Sequence, residues 1–229
     1  MKKIKLLSFL MCFLTVFGCQ TKQGTGSLLG AGGGAALGAI VGQIIGKDGK
    51  STAIGAAIGA AAGAGAGAII GRHMDKVAAE AAANVQNAKV EEVTDANGLK
   101  AVKVTFDSGI LFATNKADLN LVSKNELARF STVLKNNADC HVDIYGHTDS
   151  TGNDGINIPL SNNRAQSVAT YLKQCGVSAQ QLQNIVGKGS AEPVADNGTA
   201  QGRQLNRRVE IYLYASQAMV DAANAGTLK

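Results

Sequence analysis

The chain has 229 residues, with 22 basic and 17 acidic side chains and a formal net charge of +5. Lys2, Lys3 and Lys5 fall in an N-terminal segment that we expect to be removed, which leaves 19 basic residues against the 17 acidic ones. This near balance, with no cluster of Lys and Arg and only 4% aromatic residues, argues against nucleic-acid binding.

The first 18 residues have the form of a secretory signal peptide. Basic Met1–Lys5 precedes an apolar run, Leu6–Phe17, that is too short for a membrane span of about 20 residues. Val16-Phe17-Gly18-Cys19 resembles the bacterial lipobox, which predicts cleavage before Cys19 and acylation of its thiol. The alternative is an ordinary cleavable signal with a chance cysteine. Gln20, rather than an aspartate, follows Cys19, and resemblance to Gram-negative lipoproteins then points to the outer membrane.

Glycine recurs at every fourth residue in the next part of the chain, beyond a short lipidated linker over 19–25. One run extends from Gly26 to Gly46 and a second from Gly55 to Gly71. At 3.6 residues per turn this period places the glycines along one helical stripe, against which another helix can pack closely. Residues 26–71 therefore predict a glycine-zipper helical hairpin, embedded in the membrane or holding a homo-oligomer together. A flexible low-complexity tether is the alternative.

Residues 72–98 predict a helical connector. The alanine-rich, charged stretch from Arg72 to about Val93 indicates a solvated helix leading away from the membrane, and Asp95–Gly98 supplies a turn. A strand is expected next, from Leu99 to Phe106, because apolar and polar residues alternate there. A folded domain over 99–214 therefore begins at this strand.

Helices and strands alternate through the rest of this domain. The expected elements are a helix from Ala117 or Leu119 to Asn136, a strand at His141–Tyr145, a helix at Ser161–Cys175, and strands at Ile185–Gly187 and Arg208–Tyr214. This order predicts an α+β fold, with βαβαβ-type crossovers and two helices on one face of a small mixed sheet. The tail, residues 215–229, predicts a short helix or a frayed end.

Two cysteines remain in this domain, Cys140 and Cys175. In an oxidising compartment they are candidates for a disulfide, because the helix that ends at Cys175 runs back toward the start of the strand after Cys140. Two separately buried thiols are the alternative.

Several motifs lie in order between about residue 100 and residue 214. Gly146-His147-Thr148-Asp149 ends one predicted strand, and Asn157-Ile158-Pro159-Leu160-Ser161-Asn162-Asn163-Arg164-Ala165 leads into the next helix. Further matches are Phe112, Asn115-Lys116, Gly187-Lys188-Gly189, Pro193, Asn197, Gly202-Arg203 and Asn206-Arg207-Arg208-Val209-Glu210. Together these residues resemble the OmpA-like peptidoglycan-binding domain.

The resemblance implies a ligand, the diaminopimelate of the peptidoglycan stem peptide, whose side chain carries both an ammonium and a carboxylate. Arg164 would take the carboxylate and Asp149 the ammonium. A helix beginning at Ser161 would add free backbone N–H groups for the anion. The resemblance also implies that Thr148, Asn157, Leu160, Phe112 and Thr114 line the pocket.

Two parts of the family pattern need separate treatment. Ala113 stands where many relatives place a polar residue after Phe112, which puts a contact from that position in doubt. Arg203, Asn206 and Arg207 match the C-terminal motif of the family, and we interpret them first as a structural network that pins the last strand, with contact to the cell wall as the alternative.

No catalytic or cofactor-binding pattern is visible. The three histidines, His73, His141 and His147, show no metal-ligand spacing, and we interpret His147 as a packed residue at a strand end. The sequence therefore predicts a non-enzymatic outer-membrane lipoprotein that links the membrane to the cell wall from the periplasm. The alternative is a wall-anchored subunit of an oligomeric glycine-zipper channel or envelope assembly. A proton-driven stator is disfavoured, because neither zipper half contains an ionisable residue.

Overall fold

The computed structural model describes residues 64–113 and 115–228. The strands in this part of the chain are β1 (Ala88–Thr94), β2 (Lys100–Asp107), β3 (Cys140–Gly146), β4 (Leu182–Gly187) and β5 (Arg208–Ala215). The helices are α1 (Ala64–Asn84), α2 (Ser108–Leu111), α3 (Leu121–Asn136), α4 (Asp154–Gln174), α5 (Ala200–Asn206) and α6 (Gln217–Asn224).

The five strands form one mixed sheet in the order β1-β2-β5-β3-β4. Strands β3 and β4 are parallel and are joined through α4, whereas the other neighbours are antiparallel. The predicted α+β fold with a small mixed sheet is confirmed. Because β5 lies between β2 and β3, the residues before β5 reach the same edge of the sheet as the loop after β3.

One face of the sheet is covered by helices. Alternate residues of β2, Val102, Val104 and Phe106, point to this face and are fully buried. The ring of Phe106 meets that of Phe130 from α3 edge-on, with 5.8 Å between ring centroids. Such aromatic pairs add to the free energy gained by burying apolar area.

The opposite face carries buried polar groups. The Asp143 carboxylate accepts hydrogen bonds from the Tyr145 and Tyr214 hydroxyls at 3.0 and 3.1 Å and from the Asn184 backbone N–H at 3.0 Å. Burial nevertheless raises the pKa of Asp143 above its ordinary value. Farther along β5, Glu210 accepts from Tyr212 and Arg208. The Asp143 network joins β3 to β5 and β4, whereas the contacts of Glu210 with Tyr212 and Arg208 lie within β5.

Helix α1 packs on the domain, and the prediction of a solvated connector is wrong. Its buried residues recur at helical spacing and cover β1 and β2: Ala66, Ile70, Met74, Val77, Ala78 and Ala81. The expected boundary at residue 71 also falls inside this helix. Small alanines, which the sequence suggested were solvated, instead let α1 lie close to the sheet.

The second half of the predicted connector is strand β1. Ala88–Thr94 pairs with β2 across the predicted turn at Asp95–Gly98, which closes the hairpin. There Asp95 Oδ1 accepts from the backbone N–H groups of Asn97 and Leu99, and Gly98 has a positive φ of 77°. This charged segment has only a weak local preference for a strand, and pairing with β2 compensates for that weakness.

Helix α4 begins seven residues earlier than predicted, at Asp154 instead of Ser161. Asn153 caps it, because its side chain accepts from the Ile156 backbone N–H. Pro159 lies inside the helix and does not mark its start. The Ser161 N–H is therefore not at a helix N-terminus, and the prediction of an anion site there is wrong.

The two cysteines are not joined by a disulfide. The buried Cys140 thiol lies 3.9 Å from the Met74 sulfur beneath α1, whereas Cys175 is the partly exposed C-cap of α4. Burial raises the pKa of the Cys140 thiol above its ordinary value. Helix α1, which the sequence did not place on the domain, occupies the space beside Cys140.

The tail forms a helix. Ser216 caps α6, and Met219, Val220 and Ala223 are buried as α6 packs against α1.

Cys19, the first zipper half and the second half as far as Gly63 lie outside the described residues, as does Thr114. Within residues 64–113 and 115–228, we find no helix with the length and hydrophobicity needed to cross a membrane.

Candidate functional site

A pocket of about 450 Å³ opens at the end of the sheet where β3 finishes and β5 begins. Six of the seven residues predicted for binding line it: Phe112, Thr148, Asp149, Asn157, Leu160 and Arg164. Ala113, Asn115, Arg203 and Arg207 are also in its wall. The structure thus brings together residues that are separated by up to 95 positions in the chain.

Asp149 follows β3 and is held at the pocket by backbone and side-chain contacts. The preceding backbone N–H of Thr148 donates to the Gly189 carbonyl at 2.8 Å. The Asp149 carboxylate accepts from the Thr151 N–H through Oδ1, at 2.8 Å, and from Arg207 Nη1 through Oδ2, at 2.5 Å. Burial alone would raise its pKa, but these hydrogen bonds hold the pKa of Asp149 below its ordinary value. Asp149 is therefore an ionised carboxylate at neutral pH.

Arg164 enters the pocket from α4. Its Nε donates to the Lys116 carbonyl at 3.0 Å, and the centre of its guanidinium lies 5.2 Å from the centroid of the Phe112 ring. Burial and the nearby Arg207 lower the pKa of Arg164, and the Asp149 charge opposes them. An arginine stays charged in such a setting. The pocket therefore holds a buried cation, 4% exposed, beside an anion that is 7% exposed.

Two glycines allow α4 to come this close to the sheet. A Cβ on Gly146, the last residue of β3, would lie 2.1 Å from the Ser161 carbonyl oxygen. A Cβ on Gly187, at the end of β4, would lie 2.2 Å from the Asn162 backbone nitrogen. Any other residue at either position would push α4 outward and carry Arg164 away from Asp149. The glycines of these motifs therefore set the width of the pocket.

Asn157 and Thr148 have different parts in the pocket wall. The Asn157 amide donates to the carbonyls of Asp149, at 3.4 Å, and Thr151, at 3.1 Å, so it shapes the loop after β3. The Thr148 hydroxyl is buried and has no hydrogen-bond partner within the described residues, and the same holds for Ser108 in the same wall. Buried polar groups normally have partners, so these two hydroxyls mark a wall suited to a polar ligand.

The C-terminal motif divides into a structural part and a pocket part. Asn206 accepts from the Val194 and Ala195 backbone N–H groups, and Arg203 donates to the carbonyls of Asn197 and Gly198. These contacts form the predicted network. Arg207, which we grouped with them, instead pairs with Asp149 in the pocket. The family motif already contained Arg207, but the sequence did not show which way its side chain would point.

His147 is a packed residue at a strand end, as predicted. It is 1% exposed, and its Nε2 lies 3.5 Å from Glu210 Oε2, which is long for a hydrogen bond. Burial lowers the pKa of His147, so the ring is neutral at pH 7.

The charged groups of the pocket are one carboxylate and three guanidinium groups, from Asp149, Arg164, Arg203 and Arg207. Three cations beside one anion repel a metal ion and attract a ligand that carries carboxylate groups. The single carboxylate, already ionised, can accept an ammonium as well. The arrangement is therefore chemically suited to a zwitterion with an excess of negative charge.

Comparisons with known proteins agree with this architecture. Residues 111–207 match the OmpA family, and residues 1–76 match the YMGG-like Gly-zipper. The chain is 43% identical over 111 residues to the peptidoglycan-binding protein ArfA of Mycobacterium tuberculosis, which covers 48% of this chain and 34% of ArfA. It is 36% identical over 136 residues to the probable lipoprotein YiaD of Escherichia coli, covering 57% of this chain and 62% of YiaD.

A further relative is the outer-membrane lipoprotein YfiB of Pseudomonas aeruginosa, 40% identical over 110 residues, with 48% of this chain and 65% of YfiB covered. Each match thus spans less than two thirds of that relative's length.

Two solved structures share the fold. The cell wall anchor of the T6SS from Pseudomonas aeruginosa superposes with a TM-score of 0.52 at 29% identity, over 62% of this chain and 97% of that one. A MotB-like protein from Desulfovibrio vulgaris gives a TM-score of 0.52 at 22% identity, over 66% and 92% of the two chains. The described domain is therefore similar to OmpA family domains over residues 111–207, and the N-terminal segment is similar to the YMGG-like Gly-zipper over residues 1–76.

Proposed function

We propose that this protein binds peptidoglycan non-covalently, through the diaminopimelate side chain of the stem peptide. The observation that carries the proposal is that Asp149 and Arg164, a buried anion and a buried cation, line one open pocket of about 450 Å³. ArfA is a peptidoglycan-binding protein and the T6SS protein is a cell wall anchor, which supports the same ligand for this chain.

Arg164 and Asp149 each bind one charged group of the zwitterion. The Arg164 guanidinium takes the carboxylate, because its planar fork matches the two oxygens. Asp149 takes the ammonium while it keeps its bonds from Arg207 and Thr151, since an ionised carboxylate has about four acceptor sites. Arg207, the partner of Asp149, adds a second positive charge toward the ligand carboxylate. Thr148, Phe112 and Leu160 form the wall around the ligand, and Thr114 is proposed there from the family pattern alone.

We infer binding without catalysis. Arg207 keeps the Asp149 carboxyl ionised, so Asp149 is not a general acid at neutral pH. Hydrolysis would need a second acid or base beside it, and the neighbouring charged groups in the described wall are arginines.

We further propose that Cys19 is acylated and holds the chain at the outer membrane, with the domain in the periplasm. The names of YiaD and YfiB, a probable lipoprotein and an outer-membrane lipoprotein, support this location for the present chain. In this proposal the N-terminal part of the chain divides into a signal peptide over residues 1–18, a linker over residues 19–25 and a glycine zipper that begins at residue 26. A membrane anchor joined to a wall-binding domain is a staple between the two layers.

The glycine period supports a second, compatible role. Glycine stripes let helices pack closely, so the zipper is proposed to assemble copies of the chain in the membrane. The mass of the mature protein in mild detergent tests this point. A homo-oligomer is expected. A monomer would contradict the proposed assembly and leave only the link between the membrane and the wall.

Sedimentation with isolated sacculi tests wall binding. Asp149→Asn and Arg164→Gln each remove one of the two charges, and each is expected to lower the bound fraction at least about 10-fold. Asp154→Asn and Arg72→Gln remove equivalent charges from exposed positions outside the pocket and are expected to bind like the wild type. If both pocket variants retain wild-type binding while folded, the proposed site is wrong.

A further inference from the structure

A second group of chemically active side chains lies at the N-terminal end of β3, the end opposite the pocket. His73 reaches it from α1, Asp139 immediately precedes β3, and Cys140 is the first residue of that strand. One ligand atom from each residue lies within 4.8 Å of those of the other two. His73 Nε2 and Asp139 Oδ2 are 3.6 Å apart. Distant parts of the sequence thus place nitrogen, oxygen and sulfur ligands at one point.

The His73 ring lacks the partners that a buried imidazole normally has. Both of its ring nitrogens are buried without a hydrogen-bond partner in the described part of the chain. The 3.6 Å separation from Asp139 is too long for a hydrogen bond. Leaving buried polar nitrogens without a hydrogen bond costs free energy. Apart from its approach to Asp139, the His73 ring therefore has no hydrogen bond within the described residues that would explain its orientation.

We propose that His73, Asp139 and Cys140 bind a divalent transition-metal ion of the zinc type. Imidazole, carboxylate and thiolate are the ligands that zinc uses, and three protein ligands with a fourth open position form a complete site. Ligand atoms bound to one tetrahedral zinc lie about 3.4–3.6 Å apart, as follows from bond lengths of about 2.0–2.3 Å. The 3.6 Å separation of His73 Nε2 and Asp139 Oδ2 already has this value, and the Cys140 sulfur lies within 4.8 Å of a ligand atom of each.

The surroundings give the site a closed floor and an open entrance. The Met74 sulfur lies 3.9 Å from Cys140 Sγ and, with the buried side of α1, excludes water from below. The Asp139 side chain is 36% exposed and that of His73 16% exposed, so an ion enters from their side. The open coordination position faces the same way and is filled by water.

A metal at this place would tie α1 to the sheet. Helix α1 begins within the predicted glycine-zipper segment, and its other contacts with the domain include apolar packing, the ion pair of Asp75 with Lys100 and hydrogen bonds from Asn136 and Asn137 to Glu80. A bond from His73 through the metal to Asp139 and Cys140 would fix the junction between the membrane-side segment and the wall-binding domain. The pocket lies at the other end of β3, about 20 Å away for seven residues, so wall binding is expected to be independent of the metal.

The test uses the full mature chain in detergent after removal of metal with a chelator. Titration with Zn²⁺ is expected to show one ion bound per chain and, at about 100-fold excess over the dissociation constant, a rise of about 5 °C or more in Tm. Co²⁺ is expected to give the charge-transfer absorption of a thiolate ligand. Asp139→Asn and His73→Gln, which change partly exposed side chains, should weaken Zn²⁺ binding at least about 10-fold.

The control variants are chosen from neighbouring or equivalent residues. His141→Gln alters the next residue of β3, whose ring packs on Tyr214 on the other face, and Cys175→Ser removes the other thiol of the domain. Both should bind Zn²⁺ like the wild type, whereas Cys140→Ser should lose the thiolate absorption with Co²⁺.

Three results would overturn the proposal: no stoichiometric binding by the wild type, binding that persists in both Asp139→Asn and His73→Gln, or bound Co²⁺ without thiolate absorption. Sacculus binding measured with and without Zn²⁺ reports separately on the wall-binding pocket.

Discussion

Arg207 Nη1 donates to Asp149 Oδ2 at 2.5 Å and so joins the start of β5 to the loop after β3. Both residues line the proposed binding pocket. Because Arg207 is 40% exposed on its side chain, the pair contributes little to the stability of the fold. Its consequence is electrostatic, since it keeps the Asp149 carboxyl ionised and adds a positive charge to the pocket.

Removing Arg207 should therefore weaken ligand binding while leaving the protein folded. We expect Arg207→Gln to lower sacculus affinity about 10-fold, with a change of no more than about 1 kcal/mol in the free energy of unfolding. Binding to sacculi and urea unfolding measure the two quantities. Arg72→Gln, at an exposed position of α1, serves as the control. Wild-type affinity in Arg207→Gln would show that the pair is only a surface contact.

The close contact of α4 with the sheet gives a second prediction. Gly146→Ala places a methyl group 2.1 Å from the Ser161 carbonyl oxygen, so α4 must move and take Arg164 with it. We expect a loss of about 3 kcal/mol in the free energy of unfolding, together with loss of sacculus binding. The matched control is Gly71→Ala in α1, where the added methyl meets no atom within 4 Å and should be neutral or slightly stabilising. Equal behaviour of the two variants would refute the role given to Gly146.

These glycines illustrate what could be predicted from the sequence. Their motifs carry the resemblance to the OmpA-like domain, and the sequence predicts elements that the structure contains as β2, α3 and β5. The predicted helix start at Ser161 is wrong, although Asn153 followed by Asp154 is a typical helix start. Arg207 was misplaced because the direction of a side chain depends on tertiary contacts that no local pattern encodes.

The region before the domain was harder to predict for a different reason. Strand β1 has only weak local preference, and it exists because β2 offers it a partner. Helix α1 has the small, weakly apolar residues of a linker, and its buried face becomes visible only when the sheet it covers is known. Such elements are determined by long-range packing and not by their own periodicity.

The packing of α1 leads to a third prediction. Ile70 is fully buried between α1 and the sheet, although it belongs to the last turns of the glycine zipper. Ile70→Ala should lower the free energy of unfolding by about 2–5 kcal/mol, as for other buried aliphatic truncations. Lys76→Ala, at an exposed position of the same helix, should change it by less than about 0.5 kcal/mol. The free energy of unfolding is measured in urea. An unchanged value in Ile70→Ala would contradict the packing of α1 on the domain.

Glu210 gives a fourth prediction, which concerns stability. Its two oxygens accept from Arg208 and Tyr212, each at 2.8 Å, on the buried face of β5. Glu210→Gln leaves the Arg208 charge buried without its counter-charge and should cost about 3 kcal/mol. Glu92→Gln breaks an exposed ion pair with Lys100 and should cost no more than about 1 kcal/mol. Similar costs for the two variants would mean that burial of the pair has no energetic consequence.

The same variant has a defined pH dependence. Burial alone would raise the pKa of Glu210, but His147 and Arg208 outweigh it and hold that pKa far below its ordinary value. A carboxyl whose pKa is lower in the folded state stabilises the fold fully above its unfolded pKa, about 4.3, and loses this effect as pH falls. The stability difference between wild type and Glu210→Gln should therefore shrink between about pH 4.3 and pH 2. A difference that grows on acidification would contradict this sign.

The most direct test of the central claim compares two stem peptides by calorimetric titration of the full mature chain. One contains diaminopimelate, and the other has lysine at that position, so that only the side-chain carboxylate is missing. If Arg164 binds that carboxylate while Asp149 binds the ammonium, the diaminopimelate peptide should bind about 10- to 100-fold more tightly, because the charge-assisted bonds are worth about 1.5–3 kcal/mol. Equal affinity for the two peptides would contradict recognition of a zwitterion by Asp149 and Arg164.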